Sequence, residues 1–535
     1  MKNDLQYDFI IVGSGFGGSV SALRLSEKGY KVLVVEKGKW YRSEDFPKTN
    51  WNFKKWLWLP MLRFYGIMKM TIFRHVTILS GVGVGGGSLV YANTLPIPKS
   101  NFFKSGSWSD LDDWETVLQP YYNLAHKMLG AEKNPVLFDG DKALKQVAQK
   151  MNIENQFDTP YVSVYFGKPN VTSPDPYFDG EGPERKGCNF CGACMTGCPN
   201  NSKNTLDKNY LYLAQKKGAT ILAENEVHDI RPVEEGIGSA GYEVHIESST
   251  KIFKKKQKIK TKGVVLSGGV LGTIKLLLKL KKKSLPGISN RLGYDIRTNN
   301  ETLVSVTTLK KDLNMSKGVA IGSILHTDEN SHLEIVRYSE GSNAWKLSHL
   351  PYVLAGNPLS RMVKIIWKFM TAPLEYFKIY FINGWARKTA VLLFMQTLDS
   401  TLSFRRNVFG GMSSIVSMGK KPSSVIPESV KLTSMYAEEV EGKAMSFVGE
   451  TLMGIPSTAH ILGGAVMGKD KTQGVIDKDN KVFGYDNMYV IDGSMISANP
   501  GVNPSLSITA IAEFAMSKIN PKSSSESLNK EITNK

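Results

Sequence analysis

The sequence predicts an α/β protein in which a Rossmann-like dinucleotide-binding domain is interleaved with a second domain, built on a β-sheet with covering helices. Three observations support this fold class. Residues 8–36 read as strand, glycine turn, helix and strand, residues 261–278 repeat strand, glycine turn and helix, and residues from about 300 to 455 lose this rhythm. The chain has 535 residues, more than a single hydrophobic core covers, so we expect two domains.

The first strand and turn carry a specific motif. Phe9–Val12 is a short apolar run typical of a buried parallel strand. The turn that follows contains Gly13, Ser14, Gly15, Phe16, Gly17 and Gly18. Its glycines match G-x-G-x-x-G, which permits a tight turn, lets the backbone approach a pyrophosphate and packs the next helix closely. A second strand ends at Glu36, an acid suited to a ribose hydroxyl. The motif predicts a bound dinucleotide, and Glu36 alone does not separate FAD from NAD.

Composition indicates a folded protein with a basic surface. The formal net charge is +18 and the isoelectric point is about 9.4. Such a charge suits nucleic acid or a membrane with acidic lipids, and solvated lysine-rich faces are an equal alternative. No nucleic-acid-binding motif accompanies the charge, so we expect no nucleic-acid partner. The first nine residues lack an apolar signal core, so we expect a cytoplasmic protein.

Two stretches, 46–73 and 360–395, combine aromatic, apolar and basic residues. Charged residues interrupt both too often for a membrane span. Each stretch could lie on an anionic membrane with its lysines towards the headgroups, which would place the protein peripherally on the inner face of the membrane. The alternative is that both stretches are lids that cover a binding pocket.

A second glycine-rich loop begins at Leu79. Five glycines between Gly81 and Gly87 remove side chains where something large and flat must approach the backbone. The stretch G-V-G-G-G-S-L-V within it resembles the second flavin-binding motif of the glucose-methanol-choline (GMC) oxidoreductases, in particular of their cholesterol oxidase branch. In that family this loop wraps a non-covalent FAD. The resemblance implies that the flavin is lined by Gly87, Tyr91, Ala92 and Asn93.

Further segments are similar to the same family. Residues 201–227 resemble the segment in which a helix leads to a strand at the flavin adenine, which implies a backbone contact from Val227. The resemblance divides the chain into FAD-binding segments at 1–130 (with the lid-like stretch 46–73), 200–300 and 456–520, the last of them also catalytic. A substrate domain or connection with the cysteines occupies 131–199, the rest of the substrate domain 301–455, and a disordered tail 521–535.

All four cysteines lie in one run, Cys188, Cys191, Cys194 and Cys198. The spacing C-x2-C-x2-C-x3-C-P is that of bacterial iron–sulfur ferredoxins. In two-cluster ferredoxins the fourth cysteine serves the other cluster, and this chain has no second run. Three ligands could hold a three-iron cluster, Cys198 could complete a four-ligand site, and zinc or structural thiols are the alternatives. A cluster would serve electron exit to an acceptor protein.

The most specific block lies near the C-terminus. It contains H-x-x-G-G beginning at His460, D-G-S beginning at Asp492, and N-P-G-V-N-P over Asn499–Pro504. A neutral imidazole can take a hydroxyl proton, and an amide can hold the substrate oxygen. The block resembles the C-terminal signature of the GMC family. The resemblance implies that His460 is the base, that Asn503 orients the substrate, and that Asp492 and Gly493 bind the ribityl chain or flavin edge.

One departure from the family concerns an acid in the substrate domain. Cholesterol oxidases carry a glutamate there that moves a proton during double-bond isomerisation of the steroid ketone. Alignment of H-L-E-I-V-R-Y-S-E-G-S-N-A-W places Asn343 at that position, with Glu334 and Glu340 nearby. The resemblance therefore supports alcohol oxidation more than isomerisation.

Together the motifs predict FAD-dependent oxidation of a hydrophobic secondary alcohol, such as a 3β-hydroxysterol, by base-assisted hydride transfer. One alternative is a GMC dehydrogenase that passes electrons through an iron–sulfur site to a carrier protein. Another is a membrane-associated sterol- or lipid-binding protein that keeps FAD as a relic. The presence of both His460 and Asn503 argues against the binding protein.

Overall fold

A computed structural model describes residues 5–523, apart from positions 355, 399 and 420. The sequence predicts a disordered tail over 521–535, of which residues 524–535 lie outside the described residues. Lys522, in the described part of that segment, pairs with the carboxylate of Asp8 at 2.8 Å.

The described residues form twelve α-helices and twenty-five strands. The helices are α1 (Phe16–Glu27), α2 (Phe53–Trp56), α3 (Ser100–Phe103), α4 (Trp114–Met128), α5 (Asp139–Lys150), α6 (Tyr210–Lys216), α7 (Gly269–Lys281), α8 (Pro358–Thr371), α9 (Pro373–Phe381), α10 (Trp385–Lys388), α11 (Pro427–Glu439) and α12 (Ser505–Ser517). The strands are β1 (Tyr7–Val12), β2 (Val32–Val35), β3 (Trp58–Leu59), β4 (Phe64–Tyr65), β5 (Met68–Ile72), β6 (Thr77–Gly81), β7 (Glu132–Lys133), β8 (Phe157–Asp158), β9 (Tyr161–Val162), β10 (Thr172–Ser173), β11 (Arg185–Lys186), β12 (Thr220–Leu222), β13 (Asn225–Pro232), β14 (Tyr242–Ser248), β15 (Lys256–Leu266), β16 (Thr302–Thr308), β17 (Ile321–His326), β18 (Ser331–Val336), β19 (His349–Pro351), β20 (Thr389–Gln396), β21 (Thr401–Arg406), β22 (Met412–Met418), β23 (Gly442–Phe447), β24 (Ser457–Thr458) and β25 (Met488–Val490).

The first large sheet is the Rossmann-like one. Its strands follow the order β12-β2-β1-β15-β14-β13, and β25 from the far end of the chain pairs with β15. The pairings β12–β2, β2–β1, β1–β15 and β15–β25 are parallel, whereas β14 joins β13 and β15 in antiparallel pairings. Parallel strands end at one edge of a sheet, so the turns after β1, β2, β15 and β25 lie together.

Apolar residues on both faces make this a buried sheet. All four residues of β2 are buried, and α1 contacts α6 and α12 in a helical layer that includes α4. This matches the continuous apolar runs in the sequence, because parallel sheets are covered by helices on their faces.

The second large sheet has the order β19-β23-β16-β20-β18-β17-β8, and its pairings are antiparallel. Side chains alternate along β20. Leu392 and Phe394 join a core with α5 and α11, whereas Val391 and Leu393 line a cavity on the other face. The predicted fold class is confirmed, with a Rossmann-like domain and a second sheet that carries covering helices.

The aromatic and basic stretches predicted from the sequence fold onto the second sheet and around the cavity. Residues 46–73 contain α2 and the short strands β3 to β5, and residues 360–395 contain most of α8, then α9, α10 and most of β20. Among the described residues, no helix combines the length and the apolar character that crossing a bilayer requires.

Candidate active site

A cavity of about 560 Å³ is lined by the strand ends of the first sheet and by the inner face of the second. Most of the residues predicted from the sequence meet there. Those on its wall are Gly13, Gly15, Phe16, Gly17, Glu36, Gly87, Tyr91, Ala92, Val227, His460, Asp492, Gly493 and Asn503. Gly18 and Asn93 are not on the wall.

The first turn requires glycine for two different structural reasons. A Cβ atom on Gly17 would lie 1.8 Å from the main-chain oxygen of Ile491, and one on Gly18 would lie 2.1 Å from that of Gly13. These two glycines therefore allow close backbone packing. A Cβ on Gly15 would meet nothing within 4 Å, because Gly15 faces the open cavity. The missing side chain at Gly15 leaves room for a ligand, as a pyrophosphate-binding turn requires.

Glu36 holds the turn and faces the cavity. Its Oε2 accepts hydrogen bonds from the nitrogen of Ser14 at 3.1 Å and from Ser14 Oγ at 2.7 Å, and its Oε1 accepts one from Gly38 N at 2.8 Å. A carboxylate has about four acceptor positions, so it can still accept from a ribose hydroxyl. The arrangement fits the role predicted for Glu36.

Lys203, a residue that the sequence analysis did not identify, binds the main chain of the second glycine loop and does not line the cavity. Lys203 is fully buried, and its Nζ donates to the main-chain oxygens of Leu89, Tyr91 and Cys194 at 3.2, 2.9 and 2.8 Å. Burial lowers the pKa of Lys203 to about 7. Asn93 is buried beside this loop, with its φ at 70° and its side chain off the cavity wall.

Val227 lies on β13, which is the last strand in the order of the first sheet as the described residues form it. The register of β13 against β14 shifts between Val227 and Asp229, so the strand bulges beside the cavity. At the other side of the cavity Asp492 accepts from Thr273 Oγ1 at 2.5 Å and from Ser494 N at 2.8 Å. Burial raises the pKa of Asp492 although these donors act against it.

His460 is paired with Glu301, a second residue that the sequence analysis missed. Nδ1 of His460 lies 2.5 Å from Oε2 of Glu301, and Oε1 of Glu301 accepts from the nitrogen of Ala459 at 2.7 Å. Burial alone lowers the pKa of His460. The charge and hydrogen bond of Glu301, with the charge of Glu334, outweigh burial, so the pKa lies above its usual value. A carboxylate next to a buried imidazole is the usual means of orienting a basic histidine.

Asn503 contacts a buried acid. Its Nδ2 donates to Oε2 of Glu334 at 3.3 Å, and Glu334 is fully buried on β18. Asn343, which the sequence alignment placed at the position of the family glutamate, instead accepts from the nitrogen of Ala386 at 3.0 Å, off the cavity wall. The acid that the fold brings to Asn503 is therefore Glu334.

Much of the cavity wall beyond His460 and Asn503 is apolar, with His349 and Tyr338 among the polar residues in that part. Its wall there is built from both predicted lid stretches and from the second sheet, and it includes Met68, Leu79, Trp345, Trp385, Val391, Leu393 and Phe447. Trp345, Trp385 and Met68 also pack against the inner side of α9, at Tyr376 and Ile379. One end of the cavity thus combines a base and an amide, and the adjoining space suits an apolar molecule.

The four cysteines lie beside Lys203 and off the cavity wall, although Met195 within the run lines the cavity. All four cysteines are free thiols, three of them buried. Burial raises the pKa of Cys191 to about 11, and it also raises the pKa values of Cys188 and Cys194. No group of three or more histidine, cysteine, aspartate or glutamate side chains in the described ranges is arranged to hold a metal ion. The predicted iron–sulfur site therefore gains no support.

The fold and the cavity define a flavin-dependent oxidoreductase that acts on alcohols. Two family models agree with this class. The N-terminal model of the GMC oxidoreductases matches residues 7–292, and the C-terminal model of the same family matches residues 391–512. The chain belongs to the GMC oxidoreductase family, whose members bind FAD.

Similar proteins are enzymes of the same kind. A cholesterol oxidase of Acinetobacter baumannii is 43% identical over 531 residues, covering 97% of this chain and 95% of that protein. A cholesterol oxidase of Mycobacterium tuberculosis is 42% identical over 534 residues, covering 97% and 91%. The crystal structure of pyridoxine 4-oxidase from Mesorbium loti superposes with a TM-score of 0.60 at 14% identity, covering 96% of this chain and 99% of that one. This last likeness concerns the fold alone.

Proposed function

We propose that this protein oxidises the hydroxyl group of a hydrophobic secondary alcohol, with 3β-hydroxysterols as the substrate class. The observation that carries the proposal is the composition of one cavity wall. His460 and Asn503 both line it, and much of the rest of the wall is aromatic and aliphatic. The two cholesterol oxidases at 42–43% identity over nearly the whole chain support the sterol class.

His460 takes the hydroxyl proton. With the Nδ1 hydrogen held by Glu301, the neutral ring keeps a free lone pair on Nε2, which is the atom available to a substrate. The Nδ2 group of Asn503 has two hydrogens, and one of them is donated to Glu334. The second can donate to the substrate oxygen and hold the alcohol in one orientation.

FAD fits the remaining part of the cavity. The open space at Gly15 and the carboxylate of Glu36 suit a pyrophosphate and a ribose, and Val227, Tyr91 and Asp492 extend the wall. Bound FAD supplies the hydride acceptor. The protein contributes the base, the orienting amide and an apolar wall that excludes water.

A dehydrogenase that uses a cysteine-held cluster is not favoured. The thiols lie off the cavity wall, and in the described ranges they are not arranged to hold a metal ion. We propose that they are structural, packed with Val162 and Val164 beside the second sheet.

We also propose that the enzyme works as a peripheral protein at an anionic membrane surface, from which it takes its substrate. Helices α8 and α9 expose an apolar face to solvent. Its members are Leu359 (67% exposed), Val363 (58%), Trp367 (65%), Met370 (68%), Leu374 (73%), Phe377 (60%) and Phe381 (72%). Exposed apolar patches of this kind mark interaction sites on soluble proteins.

Charge and position favour a bilayer as the partner of this face. Lys364 and Lys378 are exposed on the same two helices, where they can reach anionic headgroups. The inner side of α9 packs on Trp345 and Trp385 of the cavity wall. A sterol leaving a bilayer at this face would have only the α8–α9 layer between it and the cavity.

The oxidation can be tested by anaerobic reduction. A 3β-hydroxysterol should bleach the flavin absorbance of the purified protein, while the 3α-epimer should not, because the base and amide fix one orientation of the C–H bond. Bleaching by long-chain primary alcohols with none by the sterol would contradict the substrate class. Absence of bleaching by any alcohol would contradict the proposed function.

A further inference from the structure

A row of buried polar side chains leads away from Asn503 along the second sheet. Glu334 and His332 are two residues apart on β18, so both side chains lie on the same face of the sheet. His332 is paired across the strands with His326, the last residue of β17. The row therefore runs from the catalytic end of the cavity to the turn between β17 and β18.

Short separations join the members of the row. Asn503 Nδ2 lies 3.3 Å from Oε2 of Glu334, and Oε1 of Glu334 lies 3.4 Å from Nε2 of His332. The ring centroids of His332 and His326 are 5.9 Å apart. At this separation the two rings are in contact.

Each member also has a buried polar atom without a hydrogen-bond partner among the described residues. These atoms are Oδ1 of Asn503, Oε1 of Glu334, Nε2 of His332 and Nδ1 of His326. The middle two are 3.4 Å apart, as an ion pair would be, but do not form a hydrogen bond. A buried polar group without a partner is costly, and ordered water commonly satisfies such groups. On the opposite face of β18 the neighbours are Leu333 and Ile335, which pack in an apolar core.

The outer end of the row reaches the surface. His326 is half-buried, and burial, with the charges of His332 and Lys99, lowers its pKa to about 4 while Asp158 acts against this. Lys99 is bound to the main-chain oxygens of Asp328 and Glu329 in the exposed turn that follows. A neutral imidazole at this position can accept a proton on one nitrogen and donate from the other.

We propose that Glu334, His332 and His326 form a proton path between the catalytic end of the cavity and solvent at the β17–β18 turn. The proposal rests on the proposed oxidation, in which the alcohol loses a hydride to the bound cofactor and one proton from its oxygen to become a ketone. That proton has to leave the part of the cavity that holds His460 and Asn503. The path gives it a polar exit that does not cross the aromatic part of the cavity.

Proton movement can be followed without any alcohol. Light-driven reduction of the bound FAD by a catalytic amount of deazaflavin takes two electrons from added oxalate, which is oxidised to carbon dioxide, and one proton from solvent. A pH-indicator dye in weak buffer reports the proton, against a baseline from the same mixture without protein. In the wild type the dye signal should accompany flavin bleaching. In His332→Phe the rate of the dye signal should be roughly tenfold or more below the rate of bleaching, which is the scale of losing a positioned proton-transfer group.

The matched control is His245→Phe. His245 is also a buried histidine two residues from a glutamate on one strand, with its Nε2 2.7 Å from Glu243, but it lies in the first sheet. Its dye signal should follow bleaching as in the wild type. His326→Phe, at the half-exposed outer end, provides a second test if His332→Phe does not fold.

A dye signal that keeps pace with bleaching in both His332→Phe and His326→Phe would overturn the path. An equal lag in His245→Phe would overturn it as well, because the delay would then not depend on this row. Failure of a sterol to bleach the flavin would contradict the proposed substrate alone, since photoreduction needs no sterol.

Discussion

Nδ1 of His460 lies 2.5 Å from a carboxylate oxygen of Glu301, and the other oxygen of that carboxylate binds the main chain of Ala459 at 2.7 Å. A single buried acid thus fixes both the imidazole ring and the peptide that carries it. This contact determines which ring nitrogen meets the substrate and how strongly the ring holds a proton.

Glu301→Gln should lower the pKa of His460, because the amide keeps the size of the side chain but loses the charge that raises this pKa. Oxidation needs the neutral ring, so the rise of kcat/KM with pH should move to lower pH in the variant. Glu340→Gln, which removes the exposed partner of Arg387, is the control and should leave the profile unchanged. An unaltered profile in Glu301→Gln would contradict the role of the pair.

The same pair predicts a pH dependence of stability. A histidine whose pKa is raised on folding stabilises the protein below its unfolded pKa, and this stabilisation is lost as pH rises through the folded value. Glu301→Gln should therefore reduce the free energy of unfolding more at pH 6 than at pH 9. Denaturant titrations at both pH values, with FAD content matched, measure the difference. Equal losses at the two pH values would indicate that the pair is not ionic.

His460→Ala should lower the rate of anaerobic flavin reduction by roughly 10²–10⁴-fold, the usual effect of losing a positioned base. FAD content should stay near that of the wild type, because the side chain stands at the substrate end of the wall. His126→Ala, which removes a histidine that binds the main chain of Leu95 and stacks on Tyr161, is the comparison. A near-normal rate of flavin reduction in His460→Ala would contradict the assignment of His460 as the base.

Substitutions at two glycines of the first turn should distinguish loss of the cofactor from misfolding. Gly15→Val places its side chain in the open cavity at a φ of −72°, which any residue adopts, so the protein should fold but contain little FAD. Gly17→Ala forces a Cβ to within 1.8 Å of the Ile491 oxygen, so the folded state itself should be lost. Circular dichroism and the colour released by acid precipitation distinguish the two results. A yellow Gly15→Val protein would contradict the pyrophosphate role.

The apolar face of α8 and α9 should bind vesicles that contain anionic lipid, and added salt should weaken binding by screening the lysines. The double variant Trp367→Ser/Phe377→Ser should bind at least about tenfold more weakly, given the free energy of burying such side chains. Phe253→Ser/Phe409→Ser removes two aromatic residues elsewhere that are 90% and 94% exposed, and it should bind like the wild type. Equal sedimentation of all three proteins with vesicles would contradict the membrane face.

The cysteine run should behave as structural thiols. Anaerobically purified protein should lack stoichiometric iron, and Cys191→Ser should leave flavin reduction and reoxidation rates near those of the wild type. Iron at a fixed ratio to flavin, with slower reoxidation in Cys191→Ser, would instead restore the electron-exit hypothesis.

The sequence was sufficient to predict the elements that depend on local pattern. The strand before Gly13, the open turn at Gly15 and the strand ending at Glu36 follow from a short spacing rule, and the fold class follows from their repetition. His460 and Asn503 came from a family resemblance, and the structure places them on one cavity wall.

Long-range contacts were not predictable in the same way. Glu301 is separated from His460 by 159 positions and Lys203 from Leu89 by 114, so no local spacing points to either contact. Glu334 was named only as a nearby acid, because the alignment through β18 and the following turn could not decide which side chain faces Asn503. The alternation of side chains along β18 predicts that His332 and Glu334 lie on the same face. Only the fold shows that this face contacts Asn503 and His326.

The packing of Gly17 against Ile491 has a consequence for biosynthesis. The dinucleotide-binding turn is synthesised long before the carbonyl it packs against and before the neighbouring strand β25, because more than 470 positions separate Gly17 from Ile491. A nascent chain that has not yet reached β25 therefore cannot complete its flavin cavity. Fragments that stop before Met488 should accumulate without flavin, so cofactor loading reports that synthesis has passed β25.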